Sequence, residues 1–176
     1  SGFIFSLSIA DQYIKTGTFS NILIVTSEVQ STAMDLSNRG RDTSVIFADG
    51  AAATIISGTS KSEGILSTHL HTQGRYAKEL WVESPSSAMS PKLDEDIIKS
   101  GKHFLKMNGK EVFKHAIKRF PEVIMESLDY NNLSINDINL LIPHQANIRI
   151  SKMVQKKLGL NDKQVFSNIH KYGNTT

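Results

Sequence analysis

The chain contains no cysteine, which removes disulfide bridges, thiolate metal centres and, within these 176 residues, any thiol nucleophile. It has no long apolar run either. Stretches such as "NILIV" and "LLI" fall well short of the roughly 20 residues needed to span a bilayer, and no basic-then-apolar leader ending in small residues is visible. A glycine-rich phosphate loop, a dinucleotide glycine pattern, an internal repeat and a low-complexity tract are also missing. Charge is nearly balanced: 20 Lys and Arg against 17 Asp and Glu give a net charge of +3. With an isoelectric point near 9.1, the surface can steer an acidic partner by long-range attraction but is too weakly basic to argue for nucleic acid. What is present is a globular, non-membrane composition of cytoplasmic type, with 39% hydrophobic residues to build a core.

The opening stretch "SGFIFSLSIADQYIKTG" reads as a helix without its beginning. Phe3, Ile4, Leu7, Ala10 and Ile14 are already in helical phase, no capping residue precedes Ser1, and Gly17 sits where a C-terminal cap belongs. "NILIVTSEV" has the length and branched content of a buried strand, and helix followed by buried strand points to a layered α/β fold. "SVIFADGAAATIISG" predicts two strands joined at "DGAAA", where small residues let backbone or ligand come close. The polar, turn-forming run at 57–64 divides the chain into residues 1–60 and 61–176. "ILSTHLHTQ" predicts a further strand, and residues 74–103, which include "ESPSSAMSP", an irregular flap of low order. Helical phasing returns in "NGKEVFKHAIKRFPEVIMESL", which Pro121 should bend or split. After Ser134, a capping residue, "INLLI" predicts a buried strand, "ANIRISKMVQKKLG" an amphipathic helix closed by Gly159, and "QVFSNI" another strand.

Two stretches could carry chemistry. In "LLIPHQANIRI", His144 follows a proline that blocks backward extension of the helix, which places it at the carboxyl edge of a strand, where ligands gather in α/β sheets. In "HKYGNTT", Gly173 permits a tight turn that can present the Asn174 carboxamide to the same cleft. One helix and one strand fit between the two residues, as needed to bring parallel strand ends together. An imidazole N–H and a carboxamide N–H aimed at one point form an oxyanion hole. A helix-start histidine bonded to backbone and an ordinary turn asparagine account for the same residues without any chemistry. The remaining histidines, His69, His71, His103, His115 and His170, show no ligand-type spacing and read as surface or core residues.

"PHQANIRI", "GNTT", "FADGAAATII" and "SGFIFSLSIADQYIKTG" with "ILIVTSEV" together resemble the β-ketoacyl-acyl carrier protein synthase III family, the initiating condensing enzymes of type II fatty acid synthesis. The similarity covers nearly all of the chain, in the family's order. It implies a thiolase-like layered αβαβα fold, incomplete in this chain, with residues 1–60 ending the N-terminal half and 61–176 forming most of the C-terminal half. It further implies that the nucleophilic cysteine stands immediately before the position of Ser1, where the helix dipole favours thiolate. Family members also continue past "GNTT", and with the cysteine absent this chain alone is expected to be inactive.

By the same resemblance, an acyl group passes from acyl-CoA to the cysteine, and a malonyl group on acyl carrier protein then enters. His144 and Asn174 hold the malonyl thioester oxygen as carbon dioxide departs. No metal or redox cofactor is implied, coenzyme A thioester being a substrate. Arg41 matches an arginine that contacts the CoA nucleotide, Phe113 a residue lining the pantetheine tunnel, and Gly109 and Ala146 close-approach positions beside the pantetheine arm. Lys114, Arg149, Lys156 and Lys157 would form a basic rim suited to an acidic carrier protein. A solvated loop arginine, a helix-core phenylalanine and solvated helix faces are the plain alternatives at those positions. A homodimer is implied, with the strand at "ILIVTSEV" near its interface. Two other readings compete: an acyltransferase of specialised metabolism on the same fold, and an inert chain that at most binds CoA.

Overall fold

Apolar residues spread widely around Gly2–Lys15 build the first helix, α1, in the computed structural model, which describes residues 2–176. The helix closes at Gly17, which adopts φ +72° and donates its N–H to the Ile14 carbonyl at 3.0 Å. Ala10 and Asp11 are buried, while Phe3, Ile4, Phe5, Ile9 and Tyr13 stay exposed. A helix apolar this far around its circumference is suited to being enclosed on several sides.

Strand β1 (Asn21–Glu28) pairs antiparallel with β2 (Gly50–Ser57), setting Leu23 opposite Ile55 and Val25 opposite Ala53. Ile24 is buried on one face, whereas Leu23 and Val25 on the other are 62% and 65% exposed. The unbroken apolar run predicts cover on both faces, and the strand has it on one. The two strands expected in "SVIFADGAAATIISG" reduce to one. A short helix, α2 (Arg41–Ser44), takes up the start of that stretch, and Phe47 makes an isolated parallel bridge to Asn174. "DGAAA" therefore begins β2 instead of joining two strands.

Residues 65–73 form no strand, because no described strand runs alongside to complete a ladder. Side chains hold the segment instead. Ser8 and Thr68 hydroxyls meet at 3.1 Å, Asn131 donates to Ser67 at 2.7 Å, and His69 and His71 both bond Glu126, at 3.1 and 2.7 Å. Hydrogen bonds from His71 and His69 hold the Glu126 carboxyl below its ordinary range. The sequence reading gave these histidines no partner; the shared carboxylate lies far along the chain, beyond the reach of a spacing rule. The flap also carries more regular structure than expected. β3 (Leu80–Val82) pairs antiparallel with β4 (Leu105–Met107), and α3 (Glu95–Ser100) starts on Asp94, whose carboxylate accepts the Ile97 N–H at 2.8 Å.

Helix α4 (Gly109–Tyr130) runs unbroken through Pro121. Proline lacks the N–H that would bond the Ile117 carbonyl one turn back, and Lys157 of α5 (Ile148–Leu158) donates its Nζ to that oxygen at 2.8 Å. The orphaned acceptor is satisfied from a neighbouring helix, so the helix does not split. Lys157→Ala is expected to cost about 1 kcal/mol of stability. It should cost less in a Pro121→Ala background, where the restored backbone N–H reaches the same carbonyl; urea denaturation of the four variants measures the coupling.

Helix α5 starts on Asn147, whose side chain accepts the Arg149 N–H at 2.9 Å, and ends at Gly159 with φ +69°. It packs on α4 and buries Ile150, Ser151 and Val154. The runs "INLLI" and "QVFSNI" meet at a single parallel bridge, Leu141 with Val165, and form no longer ladder. Leu140 and Ile142 are exposed where a buried strand was expected. The parallel placement of the two runs, with α5 crossing between them, is nonetheless the predicted one. Among the described residues, no helix is long and apolar enough to cross a membrane.

Candidate functional site

The bridge between Leu141 and Val165 sets the ends of two parallel runs level, and each continues into a loop. His144 lies on the first loop, directly after the buried Pro143. The second loop passes through Asn168 into a single turn of helix, α6 (Ile169–Tyr172), and then Gly173. Gln145 spans the gap between the loops. Its Nε2 donates to the Pro143 and Phe166 carbonyls at 2.8 and 3.4 Å, and its Oε1 accepts the Asn168 N–H at 3.1 Å.

Asn174 is held from the opposite side. Its N–H donates to the Ile46 carbonyl at 3.1 Å and its own carbonyl accepts the Ala48 N–H at 2.8 Å, clamping its backbone to the run that leads into β2. The residue is only 5% exposed. Its Oδ1 accepts the Thr176 N–H at 3.0 Å, which orients the carboxamide and leaves Nδ2 a donor with no acceptor among the described residues. The His144 ring reaches solvent, yet the protein packed around it disfavours the charged form, so burial pushes its pKa below the ordinary histidine value. At neutral pH the ring is an uncharged imidazole with one N–H to donate.

Gln145 and Gly173, the neighbours of these two donors, line a cleft of about 480 Å³ whose other walls include Gly2 and Phe3, Gly50 and Thr175. Gly50 shows why small residues stand there: a Cβ would lie 2.9 Å from that of Thr175. The N-terminal end of α1, with its unpaired backbone N–H groups and the positive end of its dipole, thus borders the same cleft. A larger cavity of about 1090 Å³ between α1 and α4 is lined by Asp11, Glu122, Glu126 and Asp129 and by no residue of the 143–147 or 168–176 loops. Volume does not mark the donor pair.

The other candidate positions scatter around this centre. Arg41 is exposed on the first turn of α2 with no ion pair among the described residues. Its neighbour Arg39 is committed, its Nε donating to Asp35 at 2.6 Å and a terminal nitrogen to the Lys99 carbonyl at 3.0 Å. Hydrogen bonds from Ser37 and Arg39 hold the Asp35 carboxyl down at about 2. Gly109 begins α4 in the open and Phe113 is half-buried one turn on. The Ala146 N–H donates to the His144 carbonyl at 3.0 Å and closes the turn that carries the imidazole. Lys114, Arg149 and Lys156 are exposed; Lys114 pairs with Glu111 at 3.5 Å. Arg149 and Lys156 lie on one face of α5, about 10 Å apart along its axis, whereas the Lys157 ammonium is occupied by the α4 carbonyl. Among the described residues, no cluster of three or more metal-ligating side chains is placed to hold an ion.

Solved structures share this fold. The chain superposes on 3-oxoacyl-[acyl-carrier-protein] synthase III from Aquifex aeolicus with a TM-score of 0.83 at 35% identity, covering 99% of this chain and 51% of that one. The priming β-ketosynthase from the R1128 polyketide biosynthetic pathway matches with a TM-score of 0.78 at 28% identity, over 99% and 50%. The fold is the thiolase-like layered α/β fold of condensing enzymes, held here in part. In sequence, the chain is 40% identical over 176 residues to β-ketoacyl-[acyl-carrier-protein] synthase III from Salmonella arizonae, which is 100% of this chain and 52% of the relative. Family models for 3-oxoacyl-[acyl-carrier-protein (ACP)] synthase III and for its C-terminal part match residues 1–74 and 128–176. The chain belongs to the β-ketoacyl-acyl carrier protein synthase III family, a family of acyltransferases, and spans about half the length of these relatives.

Proposed function

We propose that this chain supplies the oxyanion-stabilising part of a condensing enzyme that joins an acyl group from a short acyl-CoA to a malonyl group on acyl carrier protein, with loss of carbon dioxide. The observation that carries this reading is the convergence on one cleft of the α1 N-terminus, the His144 loop and the Asn174 loop. A cysteine immediately before Ser1 would stand at that helix end, where the dipole favours thiolate. The thiolate attacks the acyl-CoA carbonyl and expels CoA as its thiolate, which takes a proton from water. Malonyl thioester then enters with its carbonyl oxygen between His144 and Asn174. As the bond to the carboxylate breaks, its electron pair becomes an enolate whose oxygen the two donors hold. The enolate carbon attacks the acyl-cysteine carbonyl and expels the thiolate.

Arg41, Gly109, Phe113 and Ala146 fit the path of the CoA and pantetheine chains. Lys114, Arg149 and Lys156 would speed encounter with an acidic carrier protein, with Lys157 adding charge from a fixed position. The exposed apolar residues of α1 and β1 suit contact with further protein, either the rest of the enzyme or a second protomer. Intact mass after incubation with acetyl-CoA tests the reading. The cysteine-free 19.5 kDa chain is expected to stay unmodified, and a polypeptide carrying cysteine ahead of Ser1 to gain one acetyl group. No adduct on the cysteine-bearing polypeptide would overturn the reading. Acylation without use of malonyl-carrier protein would favour the specialised acyltransferase, the alternative that the polyketide relative keeps open.

A further inference from the structure

We infer that Gln145 is a positioning residue that sets the spacing between the His144 imidazole and the Asn174 carboxamide, an inference that rests on reading those two groups as the oxyanion donors. Beyond the bridge at Leu141 and Val165, no backbone hydrogen bond among the described residues joins the His144 loop to the segment 166–174. The Gln145 side chain makes that connection, and it uses both ends of its carboxamide: Nε2 on the Pro143 and Phe166 carbonyls, Oε1 on the Asn168 N–H. Asn168 precedes α6 and caps it with no side-chain bond of its own. That single helical turn leads directly to Gly173 and Asn174, whose far end is fixed to Ile46 and Ala48.

Beyond the bridge, the segment carrying Asn174 is therefore tethered at two points, and one of them is Gln145. An oxyanion hole works only if both donors lie within hydrogen-bond reach of one atom, so a connector that fixes their separation acts on the reaction without touching substrate. The amide is also the chemistry this gap requires. A carboxylate of the same shape would keep the acceptor for the Asn168 N–H but set negative oxygen against two carbonyl oxygens.

Two measurements test this. In the 176-residue chain, the His144 ring is followed by NMR as pH is varied, for the native sequence and for Gln145→Ala and Gln145→Glu. Loosening the loop is expected to let the ring titrate closer to the ordinary value of about 6.5, and further upward with the added negative charge of Gln145→Glu. In the cysteine-bearing enzyme, both variants are expected to lower kcat for malonyl decarboxylation by about 10²-fold, with KM for malonyl-carrier protein and the rate of cysteine acylation little changed. The Glu variant keeps the size and packing of the native side chain, so it remains informative if the Ala variant folds poorly. Folded variants with an unmoved His144 titration and native decarboxylation would overturn the inference. So would equal loss of both half-reactions with a lowered melting temperature, which is the mark of a merely structural link. If His144→Ala itself leaves decarboxylation intact, the donor assignment fails, and that result is distinct from a silent Gln145.

Discussion

His144→Ala and Asn174→Ala, each made in the cysteine-bearing enzyme, are expected to slow malonyl decarboxylation by about 10²- to 10³-fold while leaving acylation of the cysteine largely in place. The asymmetry follows from where charge develops. In acylation, negative charge grows on the carbonyl attacked by the thiolate at the end of α1. In decarboxylation, on the proposed reading, it grows on the malonyl thioester oxygen, which the imidazole and the carboxamide would hold. Removing both donors should cost less than the product of the single losses, because each acts fully only when the other has fixed the oxygen. Asn174→Asp should be worse than Asn174→Ala, since it replaces a donor by a negative acceptor. Release of carbon dioxide from malonyl-carrier protein, set beside single-turnover acetylation followed by intact mass, separates the two half-reactions. Equal loss in both would assign the donors to the wrong step.

How much of this was legible in the sequence depended on the range of the signal. Gly17, Gly159 and Gly173 were readable because a left-handed backbone is a local demand, and all three adopt positive φ. Helices α1 and α5 were readable for the same reason: phasing and caps lie within a few residues of one another. Strand readings failed where a partner was needed. "SVIF", "ILSTHLHTQ", "INLLI" and "QVFSNI" have strand-like composition, but a ladder takes two runs in register. The structure gives them isolated bridges or side-chain anchors instead. Pro121 does not split its helix, because the carbonyl it leaves free is not left unsatisfied: Lys157 arrives from another helix to bond it.

The site divides along the same line. His144 and Asn174 announce themselves through an adjacent proline and glycine, and the family resemblance rests on the same short motifs. The contacts that hold their loops do not. Gln145 sits inside the quoted motif, but its partners are backbone atoms of Phe166 and Asn168, which leave no trace in side-chain pattern. The clamp on Asn174 is likewise backbone to backbone, from Ile46 and Ala48. Its only sequence signal is the small residue at Ala48, which lets the two segments approach.

Gly173→Ala is expected to cost about 1–3 kcal/mol of stability and most of the decarboxylation rate, and the two losses have one cause. Gly173 holds φ +69° and ψ −161°, a backbone region essentially confined to glycine. A Cβ there would also lie 3.0 Å from the Ala48 Cβ and 3.5 Å from the Ile46 carbonyl oxygen. Neither neighbour can yield alone, because the Ile46 carbonyl and the Ala48 N–H are the two groups that clamp Asn174. Relief of the clash therefore has to move the carboxamide. Gly159→Ala is the matched comparison: it has the same φ of +69°, but nothing lies within 4 Å of its added methyl and it is remote from the cleft. It should lose about 1–2 kcal/mol for the left-handed backbone and keep its decarboxylation rate. Thermal melts and carbon dioxide release on the two variants then separate backbone strain from donor placement. A Gly173→Ala enzyme that melts low but decarboxylates normally would mean that Asn174 tolerates displacement, and that the clamp serves the fold rather than the reaction.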